Sequence, residues 1–325
     1  MGPESQHPAL QFASYRFLLK PLEPIYLPPN AGSTLRGAFG AAFKRTACFQ
    51  RSRPPDSCDG CSVAHQCPYG YIFETRLPPD SEVLRSQREI PHPFVLEPPL
   101  TPPPVYGPGS TLEFRAILVG RAIAYLPYFV LSFVQLGSVG VGRGRGRFEV
   151  EEVRAEHPIT GRLELIYQEG SLRPCSADLT ATYTDLLRIC STVDPRRLTV
   201  RFLTPTRLVS EQKLVTNPSF AVLVRSALRR LSSLSYFHGG HRWEADYQGM
   251  VETAEQVETV DSDLRWVDWE RYSSRQDARM KLGGVVGSST YQGPIAPFLP
   301  LLLAAGTVHL GKACTFGNGR MQVTW

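Results

Sequence analysis

Two stretches of this chain carry glycines and cations in a spacing that suits a phosphate. The first, Phe129 to Val153, reads FVLSFVQLGSVGVGRGRGRFEVEEV; the second, Phe298 to Val323, reads FLPLLLAAGTVHLGKACTFGNGRMQV. Each is an apolar, helix-like run, then a glycine-rich turn with basic residues, then a strand. Glycine lets backbone N–H groups approach a ligand, and an adjacent arginine supplies a planar cation with a fixed fork of donors. Arg143, Arg145 and Arg147 alternate with glycines in the first turn, and Lys312 and Arg320 bracket the second. Two such loops, about 170 residues apart, point to a duplicated module that grips a polyanion. For the first loop a solvated turn stays open as the plainer reading.

The second chemical feature is a group of four cysteines, Cys48, Cys58, Cys61 and Cys67, spaced C-x9-C-x2-C-x5-C. A C-x2-C pair has the bite of a zinc knuckle, and four thiolates close a tetrahedral site. The expectation is a structural Zn2+ that pins the loop after the first helix. His65 is a spare ligand; free thiols and an iron–sulfur cluster are the alternatives. Cys175, Cys190 and Cys314 are scattered and read as ordinary thiols.

These residues need a folded frame, and composition provides for one. The chain has 325 residues, 42% hydrophobic and 20% charged, enough for two domains. Net charge is only +5, yet 30 of the 35 basic residues are arginine. That skew favours nucleic-acid contact, although a GC-rich coding sequence also produces it. No apolar run approaches the roughly 20 residues that span a bilayer, and MGPESQHPALQF lacks the basic-then-apolar pattern of a secretory signal. The expected setting is cytoplasmic, with reduced thiols and no membrane partner.

Periodicity predicts the elements. Leu10 to Lys20 alternates and reads as a strand. A helix is predicted from Ser33, as N-cap, to Cys48: Leu35, Ala38, Phe39, Ala42 and Phe43 share one face, with Arg36, Lys44 and Arg45 opposite. Tyr69 onward (YGYIFETRL) reads as a strand, and Pro91 to Pro108 as loop. Thr111 to Val119 is a strand, Tyr125 to Leu136 a helix, and Phe148 to Val153 a strand. Past an ambiguous stretch, LTVRFLTPTRLV from Leu198 starts a second round. Asn217 and Pro218 open its helix, Leu264 to Tyr272 and Gly284 to Tyr291 are strands, and Ile295 to Ala305 is an apolar helix. Strand, helix, two strands, helix, strand is the order of a ferredoxin-like fold. The fold class is therefore α+β: two tandem ferredoxin-like (βαββαβ) modules, the first with a cysteine-rich zinc-knuckle insertion. The expected boundaries are 1–160 for the N-terminal module, with the insertion at 48–67 and its loop at 137–147. Residues 161–197 are a connector, and 198–325 form the C-terminal module with its loop at 311–320.

Several segments resemble one family in its own order: LRGAFGAAFKRTAC with CPYGYIFET, LGSVGVGRGRGRFEVEEV, FLTPTRLV, RWVDWERYSSRQ, LGGVVGSSTYQG and VHLGKACTFGNGRMQV. The chain is similar to the CRISPR-associated endoribonucleases that process precursor crRNA, the sixth Cas family of the RAMP superfamily. The resemblance implies two RAMP modules of the RRM type, binding of a CRISPR repeat RNA, and one cut per repeat without a catalytic metal. Such a cut uses the substrate's 2′-OH and leaves a 2′,3′-cyclic phosphate and a 5′-OH. The alternative is a non-catalytic RAMP subunit that holds crRNA in a CRISPR effector complex.

This chemistry needs a proton acceptor, a proton donor and cations for the phosphorane. His238 and His241 in YFHGGHRW are the proton-transfer candidates, since two intervening glycines permit a sharp turn. Exposed loop histidines would have the same sequence. His309 stands where the family often has histidine and reads as structural or RNA-facing. Many relatives place a catalytic histidine on the first helix, whereas this helix offers Arg36, Lys44 and Arg45. Lys44 is the candidate for phosphate charge, and a solvated helix face is the alternative. Arg36, Arg143, Arg145, Arg147, Lys312 and Arg320 are the RNA-binding candidates, joined by Arg271, Tyr272 and Arg275, which combine cation and aromatic face; a core strand position is the alternative for Tyr272.

Overall fold

A computed structural model describes residues 7–49, 58, 61–63, 66–75, 90–174, 178–273 and 278–325. His65, Cys175 and Arg275, weighed above, lie outside the described residues. The chain divides into two compact units, Ala13–Leu179 and Thr180–Trp325, the latter joined by the segment ending at Phe12. The fold is mixed α+β with antiparallel sheets.

The N-terminal unit begins with β1 (Gln11–Pro21) and α1 (Ala31–Ala47), followed by β2 (Phe94–Glu97), β3 (Leu112–Val119), α2 (Leu126–Val139) and β4 (Phe148–Glu156). Its strands run in the order β2-β3-β1-β4, and the hairpin of β5 (Leu163–Gln168) and β6 (Ser171–Leu172) extends the β4 edge. α1 packs against α2. The core is phenylalanine-rich: Phe39 stacks on Phe133 with ring centroids 4.7 Å apart, and Phe17 on Phe114 at 4.9 Å. Removing one such fully buried ring costs about 3–5 kcal/mol. This core fixes the two segments that matter below, the β1–α1 loop and the α2–β4 loop.

The C-terminal unit opens with β7 (Ala181–Thr182), which pairs with Gln11 and Phe12 at the start of β1, and α3 (Tyr183–Cys190). α3 starts on a capping box in which Thr182 and Asp185 satisfy each other's backbone N–H groups. β8 (Arg197–Thr206) and the short β9 (Leu208–Ser210) and β10 (Lys213–Val215) precede α4 (Phe220–Leu234) and α5 (Tyr247–Glu255). Then come β11 (Glu258–Val267), β12 (Glu270–Ser273), β13 (Ala278–Lys281), β14 (Gly284–Gln292), α6 (Leu299–Val308) and β15 (Met321–Thr324). The main sheet runs β11-β14-β8-β15. With the strands β1–β4 and β8, β11, β14, β15 each numbered in chain order, both sets have the spatial order second, third, first, fourth, with helices after the first and third strands.

Several expectations need correction. α1 starts at Ala31, two residues before Ser33, because the Pro28-Pro29 pair already ends the loop. Gly70–Glu74 is a helical turn and not a strand, closed by local backbone bonds from the Tyr71 N–H to the Cys67 carbonyl at 2.9 Å and from the Thr75 N–H to the Gly70 carbonyl at 3.1 Å. β2 lies inside the proline-rich stretch expected to be loop, its four side chains all buried against β3. Residues 161–197 are no connector: β5 and β6 complete one sheet, while β7 and α3 belong to the other unit. Ser219, and not Asn217, caps α4, its hydroxyl accepting from the Val222 N–H at 3.4 Å. Gly120–Val139 forms 20 helical residues long and apolar enough to cross a bilayer, which Arg121 and Pro127 disguise in the sequence. Ala122, Phe129, Val130, Phe133 and Leu136 of that rod lie in the unit's core.

Candidate RNA interface

The α2–β4 loop is a hydrogen-bonded structure seated on the β1–α1 loop. Arg143 N–H donates to the Tyr26 carbonyl at 3.0 Å, and the N–H groups of Leu22 and Glu23 donate to the Arg147 carbonyl at 2.9 and 3.2 Å. A Cβ on Gly142 would lie 2.3 Å from the Tyr26 carbonyl oxygen, and one on Gly146 2.3 Å from that of Pro24. The glycines thus permit loop-on-loop contact. Arg145 adopts a left-handed φ of 53°. Arg143, Gly144 and Arg145 form an exposed tip above the buried Val141 and Gly146.

The three arginines of this loop are not equivalent. Arg147 grips Glu23, its Nε and Nη2 both donating to one carboxylate oxygen at 2.9 and 2.7 Å, while its backbone N–H takes the other at 3.1 Å. These bonds, side chain first, hold the Glu23 carboxyl below its ordinary range. Arg147 is therefore committed to pinning the loop. Arg143 lies over the Tyr26 ring, 5.6 Å from its centroid, and Arg145 stands exposed at the tip.

The C-terminal loop is built differently. His309 is fully buried with φ of 61°, and its Nδ1 donates to the Asn318 carbonyl at 2.9 Å. Leu310 N–H donates to Gly319, Gly319 N–H to Pro205, and Lys312 N–H to Arg207. Thr204 is the hub: its hydroxyl donates to the Gly317 carbonyl at 2.8 Å and accepts from the Arg320 N–H at 2.9 Å. Arg230 donates to the carbonyls of Val308 and His309 at 3.0 and 3.2 Å, capping α6 with a cation where its dipole is negative. Lys312 is exposed, and Arg320 and Arg207 are half-buried.

With both loops in view, comparison with known proteins becomes informative. Residues 10–178 match the model of an N-terminal domain family, and residues 200–321 match that of the CRISPR-associated endoribonuclease Cas6. The C-terminal part of the chain is thus similar to the Cas6 endoribonucleases, over residues 200–321. That match marks the chain as an RNA endonuclease. No curated protein matches it. Among solved structures, a Thermus thermophilus Cas6 product complex has a TM-score of 0.58 at 15% identity, over 97% of this chain and 99% of that one. The T. thermophilus protein alone gives 0.55 at 15% identity, over 98% and 100%. A chain of a partial Cas6-RT-Cas1–Cas2 complex gives 0.58 at 15% identity, over 99% of this chain and 46% of that one. At such identities the likeness is one of fold.

The two histidines expected to carry proton transfer part company. His238 sits in a helical turn, Ser235–Gly239, and is only 2% exposed. A Cβ on Gly239 would lie 1.9 Å from the Ala9 carbonyl oxygen, so this turn is packed tightly against the start of the chain. His241 is exposed; its N–H donates to the Ser235 carbonyl at 3.4 Å, and its own carbonyl accepts from the Ser235 hydroxyl at 3.0 Å. The glycine pair therefore turns one imidazole inward and leaves the other in solvent, and the expected convergence of both on one phosphate is not formed.

On α1, Lys44 lies over the Tyr69 ring at 5.3 Å and Arg36 over Phe73 at 5.0 Å. Neither belongs to a plain solvated face. Arg271 and Tyr272 are on β12, opposite Met280 and Arg279. Two further members of such cation–ring pairs were not singled out by the sequence reading. Tyr26 is one. The other is Arg121, 5.1 Å from the Tyr71 ring, whose phenol burial pushes up to about 12. Tyr71 in turn packs on Tyr125 at 5.4 Å. Reading the Tyr69 segment as a strand hid that cluster.

The cysteines occupy neighbouring positions. Cys61 N–H donates to the Cys58 carbonyl at 3.2 Å, closing the C-x2-C turn. Cys67 is buried, its thiol 3.9 Å from the Ala47 carbonyl beside Cys48. Burial, then the neighbouring Glu74, push the Cys58 thiol up, and Cys67 and Cys48 add to the effect. Among the described residues, no three His, Cys, Asp or Glu side chains converge as a metal site.

Proposed function

We propose that the whole chain is a Cas6-type enzyme that binds CRISPR repeat RNA and cuts precursor crRNA through attack of the substrate's own 2′-OH, without a catalytic metal. The seated α2–β4 loop carries the reading, because it presents Arg143 and Arg145 to solvent on a backbone fixed by Tyr26 and Glu23. Cations held in that way meet a phosphate with little reorganisation. The exposed His241 is the candidate for proton transfer, and Lys44 for the charge of the phosphorane; buried His238 drops out. Products are a 2′,3′-cyclic phosphate and a 5′-OH. Both units are ferredoxin-like modules of the RAMP type, a reading supported by their common strand order. The setting is cytoplasmic, and other CRISPR proteins are the expected partners, as the Cas1- and Cas2-containing complex of one similar chain suggests.

The test is incubation of the full chain with its cognate repeat RNA in EDTA. One cut, abolished by a 2′-deoxy nucleotide on its 5′ side, supports the mechanism. A second reading, a non-catalytic crRNA-holding subunit, draws on the absence of histidine from α1 and the burial of His238. Intact RNA under saturating binding selects it.

The proposal includes one structural Zn2+ on Cys48, Cys58, Cys61 and Cys67. The closed C-x2-C turn and the neighbouring thiols support it. Zinc would displace thiol protons and join the end of α1 to the helical turn bearing Tyr69 and Tyr71. Less than half an equivalent of zinc in reduced, unchelated protein would sink it.

A further inference from the structure

Tyr26 is the one tyrosine of the β1–α1 loop, and its exposure is enforced. Its neighbours Ile25 and Leu27 are 0% and 7% exposed, while Tyr26 is 42% exposed. The backbone on one side is clamped to Tyr106 by two hydrogen bonds, Ile25 N–H to Tyr106 at 2.9 Å and Tyr106 N–H to Ile25 at 3.0 Å. On the other side it pairs with Arg143. Anchoring Ile25 and Leu27 in the core leaves the intervening ring facing outward, as alternation requires. An exposed aromatic ring on a fixed backbone loses little entropy when a ligand stacks on it. Beside it stand one guanidinium over the ring and a second at the loop tip, while Glu23, the carboxylate of the same loop, is paired with Arg147.

An aromatic face beside uncommitted guanidiniums has the chemistry for an unpaired nucleobase and its phosphate. We propose that Tyr26 is a nucleobase-stacking residue: an unpaired base of the bound RNA joins the Tyr26–Arg143 stack, and Arg145 takes the adjoining phosphate. This rests on the reading of the chain as an RNA-binding endonuclease, and it adds a determinant for a single-stranded position in the substrate.

The experiment uses the full chain and repeat RNA carrying 2-aminopurine at each unpaired position in turn. Wild-type protein should quench one position. Tyr26→Leu should abolish that quenching and weaken binding on the order of tenfold, with the salt dependence of binding unchanged. Tyr26→Phe should retain both, and Tyr26→Trp should bind at least as tightly as wild type, an outcome misfolding cannot imitate. If Tyr26→Leu binds and quenches like wild type, or if Tyr26→Phe loses both, stacking is overturned while the endonuclease reading stands. Failure of the wild-type chain to bind any repeat RNA sinks that reading and the stacking inference with it.

Discussion

The two glycine loops look alike in sequence and are used in opposite ways. In the α2–β4 loop two glycines sit underneath and two cations above: Gly142 and Gly146 press on neighbouring carbonyls while Arg143 and Arg145 reach solvent. In the α6–β15 loop Gly317, Gly319 and His309 are buried, and bonds to the Thr204 hydroxyl and to the Pro205 and Arg207 carbonyls consume N–H donors that a phosphate would need. One loop is a presentation device; the other locks the last strand to β8. Similar composition thus says little about ligand contact until the partners of each N–H are known.

The largest expected effect that sharpens this contrast is on stability. A Cβ on Gly319, where φ is +76°, would lie 1.9 Å from the Leu310 carbonyl oxygen, whereas one on Gly144 meets nothing within 4 Å. Gly319→Ala should destabilise by about 3 kcal/mol or more in urea unfolding, and Gly144→Ala by only about 1 kcal/mol, from its left-handed backbone. Equal losses would dissolve the distinction.

Next comes RNA affinity. Replacing Arg143 and Arg145 together by alanine should weaken repeat binding on the order of tenfold or more and lower the salt slope by about two. Lys312→Ala should lower it by about one at most. A titration in which Lys312 matters more than the pair would reverse the assignment of the two loops. On catalysis, His241→Ala should slow cutting by roughly a hundredfold with binding intact; single-turnover rates equal to wild type would remove His241 from the mechanism.

The smallest effect concerns pH. Because the folded Glu23 carboxyl is held below its ordinary value of 4.5, its ion pair with Arg147 contributes fully above that value. The contribution fades as pH falls through the lowered one. A carbon-13 NMR titration of Glu23 should show its midpoint below 4.5, and RNA binding should not change between neutral pH and that range on this account. A midpoint at or above 4.5 would mean that the loop is not pinned as described.

Much of the scaffold was legible because burial imposes a period. β1, β3, β4, β14 and both apolar helices followed from alternation or helical spacing. The errors fell where local pattern and tertiary burial disagree. FVLE of β2 is apolar on both faces, and its neighbouring prolines argued for loop. The Tyr69 segment, aromatic and β-prone, folds as a helical turn because Tyr71 N–H pairs with the Cys67 carbonyl. In the candidate site, the arginine loop could be seen in the sequence; the partners of its members could not.

By itself, the sequence determined the repeated order of strands and helices, the two glycine-rich turns, and the arginine supply, since these depend on residue type and local spacing. Only the tertiary structure decided that Arg147 is spent on Glu23, that His238 turns inward while His241 stays in solvent, and that Tyr26 faces outward beside Arg143. Those outcomes rest on contacts between residues more than a hundred positions apart, or on which side of a turn meets the core, and no local spacing encodes them.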